Sequence, residues 1–212
     1  MWGSMPKIPV RVVTWQDVAN WSYELAEKVL RSGYNVDVII AIARGGLVPS
    51  RILADRLGVI DVLSVKVEHW VVTASKNPEA RIKYPYTVDL QGKNALIVDD
   101  IADTGDSLIL TKDYVEKNFR PTNVKTATMQ VITQTTKYVP DFYALEVKDW
   151  AWFMYPWNYW EDEINLVKKL KQDGVNVADI KALEKAYRES YSSEPPIPLT
   201  RIVEEMKRRG EL

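Results

Sequence analysis

Short apolar runs that alternate with helical patterns are the feature that most constrains the fold of this chain. The runs Val36–Ile42 and Ala95–Val98 are almost continuously apolar, which is typical of strands buried on both faces of a parallel sheet. Further strands are predicted over 62–67, 124–132, 142–147 and 152–155, and helices over 18–29, 47–57 and 107–118. Because strands that alternate with helices need crossover connections, the sequence predicts an α/β fold with a mostly parallel sheet flanked by helices.

The pattern changes after Trp160. Charged helical segments follow over 161–171, 177–191 and 199–208, with Gly174 and the proline-rich stretch 195–198 between them. We therefore predict an α/β domain over 10–160 and a helical C-terminal extension over 161–212. The extension is expected to pack on this domain or on a second subunit.

Composition excludes several kinds of site and partner. The chain has no cysteine, so disulfides, thiolate nucleophiles and cysteine-ligated metals are excluded. A Ser-His-Asp triad or a histidine-rich metal site would need His69, the single histidine. The net charge of −1 gives no general attraction to nucleic acid or to anionic membranes. We find no apolar core of a signal peptide and no apolar run long enough for a membrane span. We therefore expect a cytoplasmic protein that binds neither nucleic acid nor membranes.

The segment that carries the most chemistry is 95–108, ALIVDDIADTGDSL. Its apolar strand leads into Asp99 and Asp100, and ligands of open α/β sheets bind at the carboxyl ends of strands. Asp103 follows, and residues 104–107 open a helix whose N–H groups and hydroxyls favour a phosphate. Carboxylates next to an anion site need another task, such as binding sugar hydroxyls or Mg²⁺, or accepting a proton. A sugar phosphate matches this set of groups.

This segment resembles the phosphoribosyl-pyrophosphate (PRPP) signature of type I phosphoribosyltransferases. The resemblance implies that Asp99 and Asp100 hold the ribose hydroxyls, directly or through Mg²⁺, and that Asp103 is the catalytic proton acceptor. The implied 5′-phosphate loop consists of Asp103, Thr104, Gly105, Asp106 and Ser107.

A second match lies upstream, at residues 40–49, IAIARGGLVP. It is similar to the pyrophosphate loop of the same family, formed here by Ala43, Arg44, Gly45 and Gly46, in which a non-proline cis peptide often precedes the glycines. The two glycines permit close backbone approach and positive φ, and Arg44 supplies donors for phosphate oxygens. Lys66 matches a family position near pyrophosphate, although a plain strand-end lysine is an equal alternative.

Residues 70–87 are polar and contain proline, and we predict a long loop that includes at most a frayed hairpin. Family enzymes carry a flexible loop in this place that closes over the reaction centre. Lys76, Arg81 and Lys83 are candidates for contacts with pyrophosphate on closure. His69 stands at the root of this loop and is more plausible as a surface or hinge residue than as a catalytic one.

The base-recognition segment is predicted over 133–160 and resembles that of the 6-oxopurine phosphoribosyltransferases. The resemblance implies that Lys137 donates to the purine O6, that Trp152 stacks on the base and that Phe153 offers backbone contacts. A lysine suits a 6-oxo group because it only donates hydrogen bonds. The aromatic run around Trp152 could equally form core or a subunit interface.

The resemblance implies Mg²⁺-dependent transfer of the phosphoribosyl group from PRPP to hypoxanthine, guanine or xanthine. This would make the chain an enzyme of purine salvage, and we expect a homodimer or a higher oligomer. Two alternatives stay open: the same chemistry on another base, and a regulator that binds PRPP or a nucleotide without catalysis.

Overall fold

The computed structural model describes residues 8–71 and 78–212. Its elements in chain order are β1 (Val10–Val12), α1 (Trp15–Arg31), β2 (Val38–Ala43), α2 (Leu47–Leu57), β3 (Asp61–Val71), β4 (Pro78–Ile82), β5 (Asn94–Ala102), α3 (Asp106–Asn118), β6 (Asn123–Ile132), β7 (Phe142–Val147), β8 (Trp152–Met154), α4 (Tyr159–Gln172), α5 (Ile180–Tyr191) and α6 (Leu199–Arg208). The chain divides into two compact units, one of residues Gln16–Asp149 and one of the described residues up to Trp15 together with Trp150–Leu212.

The larger unit is an α/β domain. Among the described residues its sheet has six strands in the order β4-β3-β2-β5-β6-β7. All neighbouring pairs are parallel except β3 and β4. The predicted α/β class and the mostly parallel sheet are therefore confirmed, and the carboxyl ends of β2, β3, β5 and β6 lie at one edge.

The central strands are buried on both faces, as their apolar runs predict. Ile40 of β2 and Ile97 of β5 pack on one face with Leu108 and Val115 of α3. The opposite face carries the alternate residues of the same strands, which pack with α1 and α2. Because successive side chains of a strand point to opposite faces, a strand covered on both sides favours apolar residues at consecutive positions, as in β2 from Val38 to Ala43.

The predicted loop over 70–87 is in part a hairpin. Strand β3 extends to Val71 and pairs with β4 in antiparallel register, with Val67 opposite Ile82. Glu68 forms ion pairs with Arg81 and Lys83 across the hairpin, in addition to the antiparallel pairing of the two strands. Lys76 lies outside the described residues.

The C-terminal unit combines the parallel pair β1–β8 with the helices α4, α5 and α6. Its apolar core is built by Met154, Val167, Tyr187 and Ile202 with their neighbours. The unit takes in residues on both sides of the boundary expected at Trp160, because the β1–β8 pairing joins strand residues to the helices that follow. No helix in the described ranges is long and apolar enough to cross a membrane.

Candidate active site

The acid pair Asp99–Asp100 lies near the carboxyl end of β5. Strand β2 pairs with β5 only as far as Val98, whereas β6 continues the pairing to Ala102. From Asp99 onward β5 no longer pairs with β2, so this edge of β5 faces the turn that follows β2. The side chains are held by their own backbone: Asp99 accepts a hydrogen bond from the N–H of Asp100 at 3.0 Å, and Asp100 from that of Ile101 at 2.8 Å.

The electrostatics of this pair favour a cation. Burial raises the pKa of Asp99 well above its usual range, and the charge of Asp100 adds to this. Burial also raises the pKa of Asp100 to about 6. Two adjacent carboxylates are costly to ionise together, and a bound cation would offset this cost. They offer only oxygen ligands, which suits Mg²⁺, an ion that proteins bind through one or two carboxylates together with substrate phosphates.

The turn after β2 explains why residues 45 and 46 are glycines. A Cβ on Gly46 would lie 2.2 Å from the carbonyl oxygen of Val98, and one on Gly45 would lie 2.1 Å from Oδ2 of Asp100. Gly46 has a φ of −69° and Gly45 is not among the glycines with positive φ, so the turn does not use the positive φ that glycine permits. The requirement is close approach alone.

Arg44 and Lys66 are the basic residues at this turn. The Ala43–Arg44 peptide bond is cis, as predicted. Arg44 is exposed, and Lys66 of β3 lies directly beside Ala43 of β2 in the parallel register. The structure thus brings Lys66 next to the turn of residues 43–46, the predicted pyrophosphate loop.

Every residue of the predicted phosphate loop except Asp106 lines a cavity of about 230 Å³ together with the acid pair. Gly105 has a φ of 83° and directly precedes α3, so its backbone conformation is one that other residues adopt at a cost. The hydroxyl of Thr104 donates to Asp106 at 3.0 Å. The first turn of α3 directs N–H groups and the positive end of the helix dipole toward this loop.

Asp103 follows β5 directly and is half-buried. The hydroxyl of Thr135, in the loop after β6, donates to its Oδ1 at 2.6 Å. Sequence reasoning missed Thr135, because only the pairing of β5 with β6 brings the two loops together.

The predicted base-binding residues belong to both units. Lys137 lies next to the phosphate loop: its N–H donates to the carbonyl of Thr104 at 2.8 Å, and its ammonium is 3.3 Å from Oδ1 of Asp106. In the C-terminal unit, Trp152 is 45% exposed and Phe153 is half-buried.

Other members of the aromatic run have structural roles within the C-terminal unit. Tyr155 is buried, and its ring stacks on that of Trp157 with centroids 4.8 Å apart. Trp152, by contrast, lines a cavity of about 470 Å³ with Trp150 and residues of α4. Trp152 therefore keeps an accessible ring, as a stacking residue requires.

Known proteins share this combination of fold and motifs. A family model described as "Phosphoribosyl transferase domain" matches residues 12–160. The chain belongs to the phosphoribosyltransferase family.

Similar phosphoribosyltransferases come from bacteria and archaea. A xanthine-guanine phosphoribosyltransferase of Nitratidesulfovibrio vulgaris is 30% identical over 149 residues, covering 69% of this chain and 83% of that protein. The corresponding protein of Idiomarina loihiensis is 28% identical over 146 residues, covering 69% and 85%. The crystal structure of a purine phosphoribosyltransferase from Pyrococcus horikoshii superposes with a TM-score of 0.60 at 33% identity, covering 70% of this chain and 93% of that one.

Proposed function

We propose that this phosphoribosyltransferase transfers the 5-phosphoribosyl group of PRPP to a 6-oxopurine base and releases pyrophosphate. The observation that carries the proposal is the meeting of an acid pair, a glycine turn with basic residues and a phosphate loop at one sheet edge. The names of the relatives, xanthine-guanine and purine phosphoribosyltransferase, support the choice of base. The products would be a nucleoside monophosphate and pyrophosphate, which is a purine-salvage reaction in the cytoplasm.

In this proposal each part of the site binds one part of PRPP. The loop from Asp103 to Ser107 takes the 5′-phosphate through N–H groups at the start of α3 and the hydroxyls of Thr104 and Ser107. Arg44 and Lys66 bind the pyrophosphate next to the backbone of residues 43–46. Asp99 and Asp100 bind the 2′- and 3′-hydroxyls of the ribose, and these same carboxylates would hold Mg²⁺. When bound, the metal would neutralise charge on the departing pyrophosphate.

The proposed chemistry is a substitution at C1′ of the ribose. The lone pair of purine N9 forms the new bond to C1′ while the bond from C1′ to the pyrophosphate oxygen breaks, and the bonding electrons leave with pyrophosphate. Asp103 accepts the proton from N7 of the base as N9 attacks. Arg44 stabilises the negative charge that develops on the leaving group. Because both substrates are held in contact, proximity supplies much of the remaining acceleration.

Base recognition is assigned to Lys137, Trp152 and Phe153. Trp152 stacks on the purine, an interaction of about 1–3 kcal/mol per base, and the backbone of Phe153 contacts the base edge. Lys137 donates to O6, for which its ammonium leaves Asp106. This exposed ion pair is weak, since such pairs contribute about 0–1 kcal/mol.

Adenine is a second candidate base. The observation that favours it is the same ion pair: as long as the ammonium of Lys137 stays on Asp106, Lys137 does not select for a 6-oxo group. Adenine offers a 6-amino donor to which a lysine cannot hydrogen-bond. Lys137→Met separates the candidates, because it should lower kcat/KM for hypoxanthine by about 10-fold or more while leaving that for adenine within about threefold.

The proposal also covers the assembly. Besides Trp152, the tryptophans Trp150 and Trp160 remain 40% and 38% exposed, and exposed aromatic surface of this kind marks contacts with partners. We propose a homodimer or higher oligomer of the chain as the active form. Light scattering at micromolar concentration tests this, and a fully active monomer would contradict it.

The decisive experiment is a steady-state assay with PRPP, Mg²⁺ and hypoxanthine, guanine, xanthine, adenine, uracil and orotate in parallel. We expect turnover with one or more of the three 6-oxopurines. Turnover with adenine alone would transfer the proposal to the second base. Binding of PRPP without turnover of any base would favour a non-catalytic regulator.

A further inference from the structure

We infer that Thr135 is a positioning residue that holds the carboxylate of Asp103 in the orientation needed to take the proton of the base. Thr135 lies outside both sequence motifs, in the loop after β6. The inference rests on the role of Asp103 in the proposed function, and the experiments below separate the two.

Two strand ends place these residues side by side. Strands β5 and β6 are parallel, with Ala102 opposite Val131 in the register. Asp103 comes directly after β5, and the loop of Thr135 begins after Ile132 of β6. The two loops therefore leave the same edge of the sheet as neighbours.

The backbone around Thr135 is fixed by the end of β6. The N–H groups of Thr135 and Thr136 both donate to the carbonyl of Ile132, at 3.2 and 3.0 Å. Two residues further on, Lys137 donates its N–H to the carbonyl of Thr104 at 2.8 Å. The hydroxyl of Thr135 is thus carried on a turn that is tied both to its own strand and to the phosphate loop.

The hydroxyl points at Asp103. Its oxygen is 2.6 Å from Oδ1 of Asp103, 3.0 Å from the carbonyl of the same residue and 3.4 Å from that of Ile132. A hydroxyl has one proton to donate, and a carboxylate at the shortest distance is the strongest acceptor of the three. This hydrogen bond occupies Oδ1, so Oδ2 is the oxygen left to accept a proton from the base.

A carboxylate on a loop needs such a partner. Asp103 is half-buried, and rotation about its side-chain bonds would turn Oδ2 away from the base. A misplacement of about 1 Å in a catalytic group costs on the order of 10²-fold in rate. The hydrogen bond from Thr135 removes this freedom.

The test compares three single variants. Thr135→Val removes the hydroxyl and keeps the branched shape, and it should lower kcat by about 10–100-fold with the KM for PRPP within about threefold, as expected when a hydrogen bond to a charged group is lost. Thr135→Ser restores the donor and should return kcat to within about threefold of the wild type. The matched control is Thr122→Val, at an exposed threonine just before the opposite end of β6, and this variant should leave kcat unchanged.

Coupling to Asp103 is measured with a double variant. Thr135→Val added to Asp103→Asn should cause no further loss beyond about threefold, because Thr135 acts through Asp103. An additive loss, a rise in KM for PRPP with unchanged kcat, or an unchanged Thr135→Val enzyme would each overturn the inference while leaving the proposed function intact. Full activity of Asp103→Asn would instead contradict the proposed role of Asp103 and, with it, this inference.

Discussion

Replacing Glu163 with glutamine should change how the stability of the C-terminal unit depends on pH. Glu163 is fully buried in α4, where its Oε1 accepts a hydrogen bond from the N–H of Ile197 at 2.9 Å. In the described part of the chain, Oε2 has no hydrogen-bond partner. Burial raises the pKa of this carboxyl from 4.5 to about 7, and the charge of Asp162 also raises it.

The magnitude and sign follow from this shift. Because the folded state binds the proton of Glu163 more tightly than the unfolded state, the free energy of unfolding falls as pH rises from about 4.5 to about 7. One pKa unit corresponds to about 1.4 kcal/mol, so the full loss is at most about 3.5 kcal/mol. Glu163→Gln keeps the acceptor for Ile197 and removes the charge. The variant should therefore match the wild type near pH 4.5 and exceed its free energy of unfolding by up to about 3.5 kcal/mol at pH 8.

Urea denaturation at a series of pH values measures this difference. Tryptophan fluorescence is a suitable probe, since Trp150, Trp152, Trp157 and Trp160 all belong to the C-terminal unit. Glu204→Gln is the matched control, because Glu204 is exposed on α6 and its replacement should leave the pH dependence unchanged. Parallel stability curves for wild type and Glu163→Gln from pH 4.5 to 8 would refute the reasoning.

Two further predictions concern the glycine turn and the C-terminal helices. Gly46→Ala would place a Cβ against a backbone carbonyl, so both the melting temperature and the affinity for PRPP should fall. Gly45→Ala instead meets a side chain of the acid pair, so calorimetry should show weaker PRPP binding with less loss of stability, and equal melting temperatures for both variants would contradict this. Truncation after Gly174 removes α5 and α6, which supply much of the core of the C-terminal unit, and should yield insoluble protein. A soluble, active and oligomeric truncation would show that these helices form a separate module.

The sheet and the two loops that carry the sequence motifs could be predicted from sequence because their signals are local. Continuous apolar runs identify β2 and β5, and the helix predicted over 47–57 has the bounds of α2, Leu47–Leu57. Gly45 and Gly46 were predicted to permit close approach, and this is confirmed, although their φ values are not positive. In these places one residue type meets a single physical requirement, so its presence in the sequence is informative.

Features that depend on distant residues could not be predicted. In the β3–β4 hairpin, for example, Val67 lies opposite Ile82 and both pack on the core of the α/β domain, a contact that the local sequence pattern does not reveal. Thr135 becomes relevant only when the loops after β5 and β6 lie together. Glu163 is part of a charged helical pattern that resembles a solvated face, and only the packing of three helices around it makes it buried.

The central claim is that Asp103 and the loops beside it perform phosphoribosyl transfer. The most direct test measures two quantities on the same preparations of wild type and Asp103→Asn: the affinity for PRPP with Mg²⁺ by calorimetry, and the formation of nucleoside monophosphate and pyrophosphate from a 6-oxopurine. We predict equal amounts of both products from the wild type. In Asp103→Asn, we expect PRPP affinity within about threefold of the wild type and kcat lower by about 10²–10⁴-fold. Full turnover by this variant, or no turnover by the wild type, would contradict the account.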